Sequence, residues 1–241
     1  MKKKKVDVYR RLLKYPPFAV SREAGAMKIV HKLKNGKEII ATALEYVTSA
    51  DAEKLYALCY IAQKNKSYNI IHTEKLGRMA EITAFMWDIR KLTNCNDDNY
   101  IFQAIDRITG IKINYNFFKK MTITHIVHKA KFNPETGKIN ILMDWNMFRN
   151  FSKKALTINI ENYANLSPAG KNLYGYIASN SACDLTEKLL IERTVIRSAR
   201  YCESQRTLKR ALLELKEKHI IKNFEIEKKS GERHIIIDRL R

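Results

Sequence analysis

The chain has 241 residues, 45% of them hydrophobic and 29% charged, enough apolar content for a buried core and too much for bulk disorder. Its 45 Lys and Arg against 25 Asp and Glu leave a formal charge of +20, a balance that favours a polyanionic partner. No apolar run approaches the ~18 residues of a membrane span. Lys2–Lys5 lead into Val6-Asp7-Val8-Tyr9-Arg10-Arg11 and not into a signal-peptide core, so a cytoplasmic protein without a membrane partner is expected. Cys59, Cys95, Cys183 and Cys202 form no CxxC pair and read as reduced thiols, with no metal site and no cofactor expected.

In chain order, Pro16-Pro17 break a basic first segment, whose first ten or so residues are expected to be mobile. Met27 to Thr42 reads as a hairpin, with Ile29-Val30 and Ile39-Ile40 flanking an Asn35-Gly36 turn. Ser49 is the predicted N-cap of a helix that carries Asp51 and Glu53 in its first turn. The run Leu55–Ala62 is too apolar for a surface helix and belongs in a core. One or two helices are expected between Thr73 and Leu92. Asn96 is the predicted cap of a helix from Asp97 to about Ile108, with a strand over Ile111–Tyr115 after it.

Ile139, Ile141, Met143 and Trp145 alternate with Asn140, Leu142 and Asp144, the period of a half-buried strand, and Asn133–Lys138 link it to Met121–Phe132. Pairing Phe132 with Ile139 puts Ile126, His128 and Ala130 on the apolar face and His125, Lys129 and Lys131 on the other. His128 then reads as a core histidine, and the two histidines face opposite sides. The polar stretch 146–156 is the predicted domain boundary. After a strand at Thr157–Ile160, Ser167-Pro168 is a strong helix start, serine at the cap and proline in the first turn. A helix around Arg193–Cys202 and another from a Ser204 cap to about Lys218 follow. Strands Ile220–Glu227 and His234–Leu240 close the chain around Ser230-Gly231.

The two halves repeat. Leu55-Tyr56 and Tyr60-Ile61-Ala62 match Leu173-Tyr174 and Tyr176-Ile177-Ala178. Ile101, Ala104, Ile105 and Ile108 match Leu208, Ala211, Leu212 and Leu215, both quartets at the i, i+3, i+4, i+7 spacing of a helix packed on a core. In each half a hairpin is expected directly after that helix. Helix, helix, capped helix and hairpin is the order of a winged helix, whose third helix enters the major groove while the hairpin reaches phosphates. The predicted class is α+β, as two tandem winged-helix domains of three-helix core plus β-hairpin wing, related as an internal repeat. Residues 1–45 form a basic N-terminal segment with a hairpin, 46–150 the first winged-helix domain, and 151–241 the second, the principal DNA reader.

On the Ser204 helix the apolar stripe leaves Arg206 and Arg210 on the opposite side, flanked by Gln205 and Lys209. Arginine offers a bidentate fork to guanine and glutamine can pair with adenine. Arg193, Arg197 and Arg200 suit backbone contacts, and Lys129 and Lys131 project from the first wing. The competing reading is a solvated face balanced by Glu203, Glu214 and Glu217. The first-half helix instead exposes Asn99, Gln103 and Asp106 and begins with Asp97-Asp98, which repel phosphate. No GxxxxGK[ST] loop, no nucleophile elbow and no closely paired histidines of a rolling-circle nuclease are present, so no catalytic residue and no enzyme is expected.

The chain resembles the plasmid replication initiator (Rep) proteins, in particular the TrfA-like branch, over residues 45–241. The resemblance rests on Ser49-Ala50-Asp51-Ala52-Glu53-Lys54-Leu55-Tyr56, Ile105-Asp106-Arg107-Ile108, Leu156-Thr157-Ile158-Asn159-Ile160, Leu166-Ser167-Pro168-Ala169-Gly170-Lys171-Asn172-Leu173 and Arg206-Thr207-Leu208-Lys209-Arg210-Ala211-Leu212-Leu213-Glu214-Leu215, taken in that order. It implies binding of double-stranded DNA at repeated origin sites (iterons), melting of adjacent DNA, and recruitment of the host replication initiator and helicase. It also implies a homodimer that represses its own gene. The alternative is a transcriptional regulator with a duplicated winged helix, which usually reads one inverted repeat. An RNA-binding protein would need exposed aromatics, and a pure interaction domain would show no salt-sensitive DNA binding.

Overall fold

A computed structural model describes residues 5–9, 16–20, 25–33, 38–117, 120–145, 147–148, 155–180, 184–196 and 198–239. The chain is mixed α+β. The start expected to be mobile is instead a strand, Lys5–Tyr9 (β1), antiparallel to Ala155–Asn159 (β10). The expected hairpin is Met27–Lys32 (β2) with Glu38–Ala43 (β3); its Asn35-Gly36 turn lies outside the described residues. β3 also pairs with Lys112–Phe117 (β6), and β6 with Lys120–His125 (β7), giving the sheet order β2-β3-β6-β7.

Ser49–Asn65 forms α1, but Thr48 and not Ser49 is the cap. The Asp51 carboxylate accepts the Thr48 backbone N–H at 2.8 Å and the Thr48 hydroxyl at 3.0 Å, fixing the first turn. Ser49 is buried, and its hydroxyl donates to the Pro168 carbonyl at 2.9 Å. The helices expected between Thr73 and Leu92 shrink to one, Met86–Thr93 (α2), preceded by a hairpin of Tyr68–Thr73 (β4) and Gly77–Phe85 (β5). Ala80, Ile82 and Ala84 are buried while Glu81 and Phe85 are exposed, the alternation of a central strand. Ala, Met and Glu prefer helix, yet β5 is paired on both edges, with β4 and with Lys138–Asp144 (β9), and those pairings override propensity.

Asp97, not Asn96, caps Asp98–Thr109 (α3), accepting the Tyr100 N–H at 3.0 Å. Its inner stripe is Ile101, Ala104, Ile105 and Ile108, as the spacing predicts. The hairpin directly after α3, β6–β7, belongs to the sheet of β2 and β3. The strands that return to β5 are Val127–Asn133 (β8) and β9, in the order β4-β5-β9-β8, with Phe132 opposite Ile139.

In the second half, Ile160–Ala164 (α4) precedes Pro168–Ser179 (α5), capped by the Ser167 hydroxyl on the Gly170 N–H at 3.1 Å. Asp184–Thr186 (β11), Glu187–Arg193 (α6), Tyr201–Glu217 (α7), Ile221–Lys229 (β12) and Glu232–Arg239 (β13) complete it. Arg193–Cys202 is therefore not one helix. The buried, β-branched Thr194-Val195-Ile196 turns the chain inward after α6, with Val195 at φ 58°. α7 begins before Ser204, which is buried and not a cap; its hydroxyl accepts the Ser198 N–H at 2.9 Å and so holds the turn that enters α7.

The second half runs α5, β11, α6, α7, β12, β13; the first follows the same order as α1, β5, α2, α3, β8, β9 only once β4, before β5, and the β6–β7 hairpin, between α3 and β8, are set aside. Within the four-stranded sheet β4-β5-β9-β8, the strands β5-β9-β8 are ordered as β11-β13-β12 are in the second half. Two apolar cores accompany the repeat, one gathering residues from Phe18 to Tyr163, the other from Leu166 to Ile237. Val195, from the turn after α6, packs into the first core. Asn172 donates across the same seam to the Phe18 carbonyl (3.1 Å) and, within the second half, to the Thr194 carbonyl (3.0 Å). Beside it, the buried Glu53 of α1 pairs with Lys54 at 2.9 Å and with Lys171 of α5 at 2.5 Å. Among the described residues no helix is long and apolar enough to cross a membrane.

Candidate nucleic-acid interface

Leu208, Ala211, Leu212 and Leu215 anchor α7 in the second core, so Arg206, Lys209 and Arg210 point outward and are exposed. None of the three has an ion-pair partner among the described residues. Of the carboxylates that could balance them, Glu214 is occupied elsewhere. Its oxygens accept the Ser167 N–H at 2.8 Å and the Ser167 hydroxyl at 2.6 Å, tying α7 to the start of α5.

Gln205 is half-buried and sits apart from that outward face. Its amide nitrogen donates to the Glu187 carboxylate, which also accepts the Tyr201 hydroxyl at 3.3 Å and pairs with Arg233 of β13 at 3.1 Å. Glu187 is an acceptor on both oxygens, so the outward-facing group of Gln205 is its carbonyl. A two-pronged contact with adenine needs both ends of the amide and requires release from Glu187.

The hairpin β12–β13 turns at Ser230 (φ 50°) and Gly231 (φ 84°), the left-handed pair that a two-residue hairpin loop demands. Its register sets Lys228 opposite Arg233 and Lys229 opposite Glu232. Lys229 is held by Asp184 at 2.8 Å and Glu227 at 3.5 Å. Hydrogen bonds from Lys229 and His234 keep the Asp184 carboxyl below the ordinary carboxylate range. Lys228 stays exposed at the tip. Lys228 and Arg233 were reachable from the sequence through the Ser230-Gly231 turn and the two-residue strand period, once the register was fixed. A shallow groove between α7 and this hairpin is lined by Cys202, Gln205, Arg206, Lys209, Ile226 and Arg233.

The three arginines expected to contact a DNA backbone divide. Arg193 ends α6 and is half-buried, Arg200 is the exposed residue immediately before α7, and Arg197 lies outside the described residues. Arg193 and Arg200 thus flank a turn and do not share a helix face.

In the first half, α3 exposes Asn99, Gln103 and Asp106. Its one basic residue, Arg107, is drawn inward to the buried Asp51 at 2.6 Å, and Asp98 pairs with Arg90 of α2 at 3.4 Å. That face therefore carries no outward cation, in contrast to α7. Lys129 and Lys131 are exposed on the edge strand β8, opposite Leu142 and Asn140 of β9.

His125 and His128 do not face opposite sides. Ile126 bends the chain between β7 and β8, and both Ile126 and Val127 are buried in succession, so the alternation breaks and the rings come to 5.1 Å centroid to centroid. Partial burial and the His125 ring push the His128 pKa below its ordinary value, against the opposing pull of Asp144. Among the described residues no three His, Cys, Asp or Glu side chains are gathered as a metal-binding group.

No protein-family model and no curated protein sequence matches the chain.

Proposed function

We propose that the chain binds double-stranded DNA through two tandem winged-helix units, with α7 as the principal reading helix. What supports this is the strand order shared by β5-β9-β8 and β11-β13-β12, with α7, the last helix of the second half, presenting Arg206, Lys209 and Arg210 beside a hairpin. Helix and hairpin are the two parts by which a winged helix engages groove and phosphate. The formal charge of +20 supplies the sequence-independent attraction.

The two units divide the work. α7 offers arginine forks suited to guanine edges, while α3, with Arg107 turned inward, leaves the first unit to grip phosphate through Lys129 and Lys131 of β8. The resemblance to plasmid replication initiators extends this to repeated origin sites, with autorepression as a consequence of binding near its own gene. Footprinting on DNA flanking that gene tests the extension. Protection of several tandem direct repeats is expected, because two unequal modules in one chain suit an asymmetric site. Protection confined to a single inverted repeat contradicts replication initiation and favours a transcriptional regulator.

A further inference from the structure

At the start of α7 lies a cleft of about 550 Å³ that neither half forms alone. The first half contributes the end of β2, with exposed Lys32; the second contributes Lys188 and Arg193 of α6 together with Ser198 and Tyr201. Among the described residues, Glu192 is the one carboxylate on its wall, set against those three cations.

Two further features give the cleft the character of an anion site. No side chain caps α7, so the positive end of a 17-residue helix opens towards the cleft at Tyr201. Lys32 and Lys188 have no ion-pair partner among the described residues, so their charges are not spent on neighbouring carboxylates. One wall is held in place where the Ser204 hydroxyl fixes the Ser198 backbone, and the turn that follows Arg193 is tied down by Asn172, which bonds both Thr194 and Phe18, and by Val195 in the first core. A cation cluster gathered at an uncapped helix start is suited to a phosphate.

We infer that this cleft is a phosphate-binding site shared by both halves, with Lys32 reaching across from the first half to a phosphate held by Lys188, Arg193 and the start of α7. Only the source of the phosphate depends on the DNA-binding proposal. On that proposal it is the duplex backbone flanking the groove read by Arg206 and Arg210, and the cleft is where the first half's hairpin joins the second half's contact.

The probe is pyrophosphate, titrated by calorimetry into the wild-type chain and into Lys32→Ala, Lys188→Ala and Arg206→Ala. Both lysines are exposed, so folding is not at stake. The expected result is roughly tenfold weaker pyrophosphate binding in each lysine variant, with Arg206→Ala unchanged. Equal binding by all four overturns the site. A second arm adds duplex to the pyrophosphate-loaded wild type. Displacement, with Lys32→Ala shallowing the salt slope of duplex binding by about one unit, assigns the site to backbone phosphate. Retention of pyrophosphate under saturating duplex supports the site but assigns it to a free phosphoester. Lysine-dependent pyrophosphate binding in a chain that binds no duplex supports the site and overturns the DNA-binding proposal.

Discussion

Arg206 and Arg210 differ from Lys129 and Lys131 in what their heads can discriminate. A guanidinium fork matches the two acceptors of a guanine edge, whereas an ammonium is a point charge that senses phosphate alone. Replacing either arginine by Ala is expected to cost about 1–3 kcal/mol on a cognate duplex and to relax preference at particular base pairs. Replacing Lys129 or Lys131 should weaken all sequences alike and shallow the salt slope by about one unit. Asn99→Ala or Gln103→Ala should do less than either. Binding of each variant to cognate and scrambled duplexes checks this; specificity lost with Asn99 and Gln103 but kept without the arginines would place the reading head on α3. His128 makes a pH prediction with a definite sign. Its pKa is lowered on folding, by burial first and by His125 second, so its stabilising contribution is complete above the unfolded value of 6.5 and is lost as pH falls through the folded one. Denaturant midpoints should drop on acidification below pH 6.5, and His128→Gln should flatten that drop. A variant with the wild-type pH profile would show that the ring pair carries no such linkage.

At the scale of elements, the helices that carry an apolar stripe were legible and the strand built from helix formers was not. Ile101, Ala104, Ile105 and Ile108, and their counterparts on α7, announce the buried faces at helical spacing. Ala80, Ile82 and Ala84 carry an equally regular period of two, but Met79, Ala80 and Glu81 disguise it, and only pairing with β4 and β9 decides the outcome. The same holds at Thr194-Val195-Ile196, where the run of β-branched residues was the local sign that a helix stops. Caps were misplaced by one residue at Thr48 and Asp97, because each lies beside another good cap and the side-chain bond alone chooses between them. The α5–α7 junction yields a test of its own. A Cβ on Gly170 would lie 2.4 Å from the Glu214 carboxylate that Ser167 needs. Gly170→Ala should therefore destabilise the chain by about 1 kcal/mol through loss of that charge-assisted link. In a Glu214→Ala background the same change should stabilise by about 0.5–1 kcal/mol, the helix preference of alanine. Equal effects in both backgrounds, measured by denaturant unfolding, would show that the two positions are not coupled.

At the scale of the whole molecule, what joins the halves had no sequence signature, since it consists of pairings between distant segments: β1 with β10, Asn172 with Phe18, and Lys171 with Glu53. Glu53 is buried between two buried lysines, and removing a partner from such a cluster exposes uncompensated charge. Glu53→Gln should cost about 3–5 kcal/mol in denaturant unfolding. Lys171→Met should cost less, because Lys54 still answers the carboxylate. A larger loss in Lys171→Met than in Glu53→Gln would contradict the ionic origin of the seam. The central claim is that the basic side chains of α7, of β8 and of the cleft engage a duplex. Titrating duplex binding against salt tests it most directly. With about six to ten phosphates neutralised, log K should fall against log[salt] with a slope of roughly −5 to −9. A slope near zero contradicts the claim.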